Sequence, residues 1–217
     1  MTLETLQKIR IVVPGIMIFL FAIPLFQDEL SPSGAVSSLN VLQGAVYLLV
    51  IAFLGGIYYF FNFRSWANRW SEEKIRANIK TKLLEPFKND AAISASFDKL
   101  KQGRGLLNVF YGYIDNDLSL KEKTKLVYWN GAFWSTVADI RVIGAIAFFV
   151  YIGAYIIRGN PSHFIVSLIM AGLFMLSFLL MPIITKRHME LGNDQIDYIL
   201  LKYKDDLKDK LGKLAGA

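Results

Sequence analysis

The sequence predicts an all-α integral membrane protein. Four transmembrane helices are expected, with a helical cytoplasmic insertion between spans two and three and a C-terminal amphipathic helix. Three observations predict it. Apolar residues make up 54% of the 217 positions and collect in four long runs rather than in periodic patterns. Only 19% of residues are charged, against about 25% in an average soluble domain. Finally, 23 of the 24 Lys and Arg fall in segments that share one side of a four-span arrangement.

The first run, residues 9–26, carries Arg10 as its one charge, and Pro14-Gly15 and Pro24 make it a span able to bend. The second, 41–63, has 23 residues and no charge. The third is an uncharged stretch from Val142 to Ile157, extended backward to give a span over 138–157 that includes Asp139 and Arg141. The fourth, 164–184, has 21 residues. About 20 helical residues cross ~30 Å of hydrocarbon, so each run is near the required length. No alternating pattern competes, and only helices or closed barrels cross lipid.

The basic residues orient the spans. Residues 1–10 carry two, 64–141 carry 14 and 185–217 carry seven, whereas 27–40 carry none and 158–163 only Arg158. The positive-inside rule then places both termini and the insertion in the cytoplasm. The net charge of +6 follows from that topology, with cations facing anionic headgroups. Ser33-Gly34-Ala35 resembles a signal-peptide cleavage site. Asp28 and Glu29 separate it from the apolar run, so a retained anchor is expected. The chain thus divides into a first hairpin (1–63, spans 9–26 and 41–63), a basic lobe (64–137), a second hairpin (138–188, spans 138–157 and 164–184) and a tail (189–217).

Within the lobe, 64–85 lacks Gly and Pro and reads as a helix continuing straight out of span two until Pro86 stops it. Trp66, Trp70, Ala77 and Leu84 fall on one side of it, and Ile75, Ile79 and Leu83 on the other. Leu106 to Ile114 reads as a helix, because a lone strand would have nothing to pair with. Asp115-Asn116-Asp117 ends it, and Ser119 with Glu122 forms a capping box for the helix feeding span three. A lobe of this size is expected to borrow burial from elsewhere. The tail is expected to break at Gly192-Asn193 and resume as an amphipathic helix with Ile196, Leu200, Tyr203, Leu207, Leu211 and Leu214 on one face. Docking on the lobe and self-association both remain open for it.

Catalytic signatures are missing. Without Cys there is no thiolate chemistry, and His163 and His188 are too few for a multi-His metal site. No Walker loop, nucleophile elbow or HExxH occurs. The expectation is therefore no enzyme, no cofactor and no metal. Asp115, Asp117 and Glu122 read as loop and capping residues rather than as a carboxylate metal site. No Asp, Glu, Lys or His sits at mid-depth in a span, which argues against ion-coupled transporters and pumps.

Four groups of residues remain as candidates. Arg69, Arg76, Lys80, Lys99, Lys101 and Arg104 form a basic stripe suited to phosphate or nucleic acid, or alternatively a solvated surface facing lipid. Asp139 and Arg141 are either a gate or pore-mouth pair, or a snorkelling arginine with an acid facing the lobe. Trp66, Trp70, Trp129 and Trp134 read as interfacial aromatics. Small residues in the spans (Ala52, Gly56, Gly144, Ala147, Ala154, Ser167, Ala171) mark close helix packing, within one chain or between subunits.

Three functions fit: a homo-oligomeric channel or pore gated by its cytoplasmic lobe, a membrane-anchored scaffold recruiting a cytoplasmic partner, and a lipid-active membrane enzyme. A short four-span chain with a basic cytoplasmic insertion and no catalytic set resembles, in layout over its whole length, the Hailong-type channel effectors of bacterial anti-phage defence. The resemblance implies an oligomeric channel restrained by short single-stranded DNA or a nucleotide, made by a cytoplasmic nucleotidyltransferase partner. The basic lobe would then be the sensing part, and the membrane a bacterial inner (plasma) membrane.

Overall fold

The computed structural model describes residues 1–26 and 41–216. The cleavage-like Ser33-Gly34-Ala35, the Asp28–Glu29 pair and the rest of the loop 27–40 lie outside the described residues. Every element among the described residues is helical. In order they are α1 (Leu3–Ala22) with a 3₁₀ turn (Ile23–Phe26), α2 (Val41–Phe60), α3 (Phe63–Leu84) with a 3₁₀ turn (Glu85–Phe87), α4 (Ala91–Ala95), α5 (Phe97–Gln102), α6 (Gly105–Asn116), α7 (Leu118–Arg158), α8 (Pro161–Lys202) and α9 (Lys204–Gly216).

Three of these stretches are long and apolar enough to cross a membrane: Leu3–Phe26, Leu118–Arg158 and Pro161–Lys202. A fourth passes only as a broken pair, Ala45–Phe60 with Phe63–Phe87, bent by 51°. This corrects the expected straight continuation of span two. The chain turns at Asn62, whose φ is 52°, a left-handed conformation that asparagine tolerates better than most residues. A second irregularity follows at Asn68 (φ −123°, ψ 20°) inside α3.

The chain forms two compact units, one of residues 3–68 and 132–182 and one of residues 1–2, 69–131 and 183–217. The first is the apolar unit. Its α1 and α2 approach backbone to backbone at Gly15 and Gly55. A Cβ on Gly15 would collide with the Ile51 carbonyl, and one on Gly55 with that of Ile11. A two-residue turn joins α7 to α8, with Gly159 at φ 68°, the Asn160 side chain accepting from the Ser162 amide at 2.9 Å, and Pro161 in the first helical position. Tyr58, Val142 and Ile143 form one small core, and Ala147, Tyr151 and Met170 another. Leu48, Leu49, Phe53, Phe149 and Leu179 stay exposed.

The second, polar unit has its own core. Ile79, Leu83, Leu84, Phe87, Leu106 and Phe110 pack with Ile196, Ile199, Leu207 and Leu211 from the C-terminal segment. The lobe therefore completes its core with its own tail. Of the two apolar faces read on 64–85, the one with Ile79 and Leu83 is buried; on the other, Trp66, Trp70 and Ala77 lie exposed while Leu84 is fully buried. The tail docks: Leu207 and Leu211 are fully buried, Leu214 lies against Gly105, and Lys208 pairs with Asp90 at 2.9 Å. The break expected at Gly192-Asn193 is absent, and α8 runs on to Lys202. A glycine in a helix costs about 1 kcal/mol. Burial of Leu191, Ile196 and Ile199 outweighs that cost, and Asn193 is held by Asn78 at 2.8 Å.

Candidate functional site

The apolar unit contains a buried polar network that begins with a proline. Pro14 has no N–H, so the carbonyl four residues earlier, on Arg10, loses its helical partner. In a span such a carbonyl must be satisfied by protein. Arg64 does this: its Nη2 donates to the Arg10 carbonyl at 2.9 Å. The same guanidinium grips Asp139, with Nε to Oδ1 and Nη2 to Oδ2 both at 2.7 Å. This is the two-pronged geometry that makes arginine–carboxylate pairs strong. Arg64 is 7% exposed and Asp139 0%.

Arg141 sits two residues along α7 and does not meet Asp139's partner. Its Nη1 donates to Asn68 Oδ1 at 2.7 Å, its Nη2 to the Ser177 carbonyl at 3.1 Å, and its Nε to Ser177 Oγ at 3.3 Å. The Phe178 ring centroid lies 4.3 Å from its Cζ. Asn68, fully buried, returns its amide to the Arg64 carbonyl at 3.0 Å. Arg10 completes the set, with Nε donating to Ser135 Oγ at 3.0 Å. Arg141 is only 6% exposed, so it does not snorkel to headgroups; its three bonds all stay within the chain. Asp139 and Arg141 are both interior, on separate partners.

A second proline, just after α1, is handled in the same way. In the 3₁₀ turn Pro24 cannot donate to the Phe21 carbonyl, and the Tyr151 hydroxyl takes its place. Arg158 caps the neighbouring Leu25 carbonyl at 2.7 Å.

The basic stripe in the polar unit is largely committed. Arg69 pairs with Glu73 at 2.8 Å and Arg76 with Glu72 at 3.7 Å, each one turn away. Lys80 donates to the carbonyls of Lys101 and Gln102 at 2.7 and 3.4 Å, closing the C-terminus of α5. The Lys101 ammonium lies 5.9 Å from the Phe97 ring centroid. Lys99 and Arg104 are exposed and make no ion pair with the described residues. The Lys80 bond brings the α3 part of the stripe to the end of α5 that carries Lys101.

The remaining candidates separate clearly. Trp66, Trp70 and Trp129 are exposed, but Trp134 is buried at 6% and so cannot mark an interface. Gly56 has nothing within 4 Å and Ala52 is exposed; their neighbour Gly55 makes the close approach instead. Gly144 lies 3.5 Å from the Met170 carbonyl by the position of an added Cβ, so it and buried Ala147 pack α7 on α8. Ala154 and Ala171 are half-buried, and buried Ser167 bonds its own helix at the Phe164 carbonyl, 2.7 Å away.

In the polar unit Asp117, rather than the Ser119–Glu122 box, opens α7: its Oδ1 accepts from the Leu120 amide at 3.0 Å. Glu122 pairs with Lys125 instead. Asp117 Oδ2 also accepts from Lys202 Nζ at 2.8 Å and Tyr203 Oη at 2.7 Å. The Lys202 bond, then those of Tyr203 and the Leu120 amide, hold the Asp117 carboxyl well below its ordinary range. The bond to Asp117 raises Lys202.

No protein-family model, curated protein or solved structure matches the chain. Its own geometry is what defines a site, and sequence reading missed two of the four central residues, Arg64 and Asn68. A signal existed for Arg64: a proline inside a span announces an unpaired carbonyl one turn earlier, which calls for a donor from another helix.

Proposed function

We propose that the chain is a four-span integral membrane protein, with both termini cytoplasmic, that assembles with copies of itself into a channel gated by its polar unit. One observation carries this reading. A bidentate Arg64–Asp139 pair and a second buried arginine lie among helices otherwise built for hydrocarbon, with Arg64 just after the helix break at Asn62. Ionisable groups inside a membrane unit are expensive and mark pathways or moving charges. A helix break beside such a pair supplies an element with two arrangements. Four helices of one chain enclose no conduit, hence the homo-oligomer.

The layout shared with Hailong-type effectors extends the proposal to bacterial anti-phage defence, with a nucleotide or short DNA as the gating ligand. Lys99 and Arg104, exposed and without an ion pair among the described residues, would carry that recognition. The test is flux from liposomes holding purified protein, alongside its mass in detergent. Ion release from an oligomer, with dye-reported depolarisation on expression, is the expected result. A monomer that releases nothing would sink the channel and leave the membrane-anchored adaptor.

A further inference from the structure

Two guanidiniums of the apolar unit's network are buried, and Arg64 takes both oxygens of Asp139. Arg141 is the extreme case. It is 94% buried (6% exposed), and no Asp or Glu among the described residues lies within ion-pair distance. Its acceptors are all neutral: an amide oxygen, a hydroxyl and a backbone carbonyl. Only three of its five N–H groups are engaged, so one on each Nη remains. The Phe178 ring lies 4.3 Å from Cζ, leaving the unused donors to point along the guanidinium plane. A buried cation with no counter-charge is costly, and the cost falls sharply when an anion joins it.

We propose that Arg141 is a binding site for a small inorganic anion, such as chloride, held in the guanidinium plane by its two free N–H groups. Ser177 holds Nε and Nη2 while Asn68 holds Nη1, so the guanidinium plane is fixed before the ion arrives. Arg64 is already neutralised and does not compete. Binding is independent of whether the protein conducts, so a failed flux experiment leaves this site standing.

The experiment is thermal unfolding of the full-length protein in zwitterionic detergent, at fixed sodium, with gluconate replaced stepwise by chloride. A ligand that binds only the folded state raises the midpoint in a saturable way. The wild type should show that saturable rise and Arg141→Gln should lose it. Arg141→Lys, which keeps the charge but not the fork, should need at least tenfold more chloride. An equal rise in Arg141→Gln, or unchanged half-saturation in Arg141→Lys, would overturn the site. Should the variants not fold, equilibrium dialysis of the wild type against radioactive chloride decides: saturable retention is expected, and none refutes the proposal. If phosphatidylglycerol raises the midpoint in gluconate and chloride does nothing, the occupant is a lipid phosphate and the small-ion site falls.

Discussion

Replacing Arg64 with methionine tests the central network in three stages. The substitution removes both bonds to Asp139 and the bond to the Arg10 carbonyl, stranding a carboxylate that is fully buried. Breaking one partner out of a buried pair costs about 3–5 kcal/mol. The lower end applies here, because an unfolded chain in detergent also finds partners. The double variant Arg64→Met/Asp139→Leu removes the stranded charge and should recover most of that loss. It still leaves the Arg10 carbonyl without a donor, a residual cost of ~1–3 kcal/mol. Pro14→Ala returns an N–H to that carbonyl. Its benefit should therefore be larger by ~1–3 kcal/mol in the double variant than in the wild type, where Arg64 already does the job. Denaturing-detergent titrations followed by tryptophan fluorescence give the four stabilities of this cycle. Should Pro14→Ala have the same effect in both backgrounds, within ~0.5 kcal/mol, the arginine is not serving the proline and the account fails.

Gly15→Val should separate α1 from α2, read as loss of a cysteine crosslink engineered across them, whereas Gly56→Val should leave the crosslink intact because nothing lies near it. Leu211→Ala should cost about 2–5 kcal/mol, since Leu211 is fully buried in the polar unit's core; limited proteolysis would then release the tail first. Asp117 is depressed in the folded state, so its stabilisation is present above the ordinary carboxylate pKa of about 4 and drains away as pH falls further. Lys202 is raised, so its contribution is complete below about 10.4 and is lost as pH climbs through the folded value. Asp117→Asn should flatten both limbs of a stability–pH curve, and an unchanged curve would show that the bonds contribute nothing.

Helical periodicity and run length made most of the architecture legible. Leu106–Ile114 reads as a helix and is one, and the Pro86 stop falls where α3 ends. Runs of apolar residues carry that information locally. What escaped was non-local or conformational. Nothing in the composition of 41–84 announces a bend, because asparagine enters the left-handed region without a glycine to advertise it. Gly192-Asn193 looks like a terminator, yet the stripe through Ile196 and Ile199 keeps the helix intact. Arg64 looks like the first solvated residue beyond a span, and only its partner 75 positions away makes it interior. Asp139 and Arg141 were visible as unusual residues, but their side chains leave α7 in different directions. Adjacency in sequence therefore suggested a pair where two separate attachments exist.

The bond between Arg64 and the Arg10 carbonyl also bears on how lineages of this protein can drift. A proline tolerated because a distant donor covers its orphaned carbonyl ties two codons together. Descendants that gain a donor-bearing residue at position 14 free position 64 to change, whereas those that keep the imino acid do not. Joint loss or joint retention of the two among relatives would be the historical imprint of that dependence.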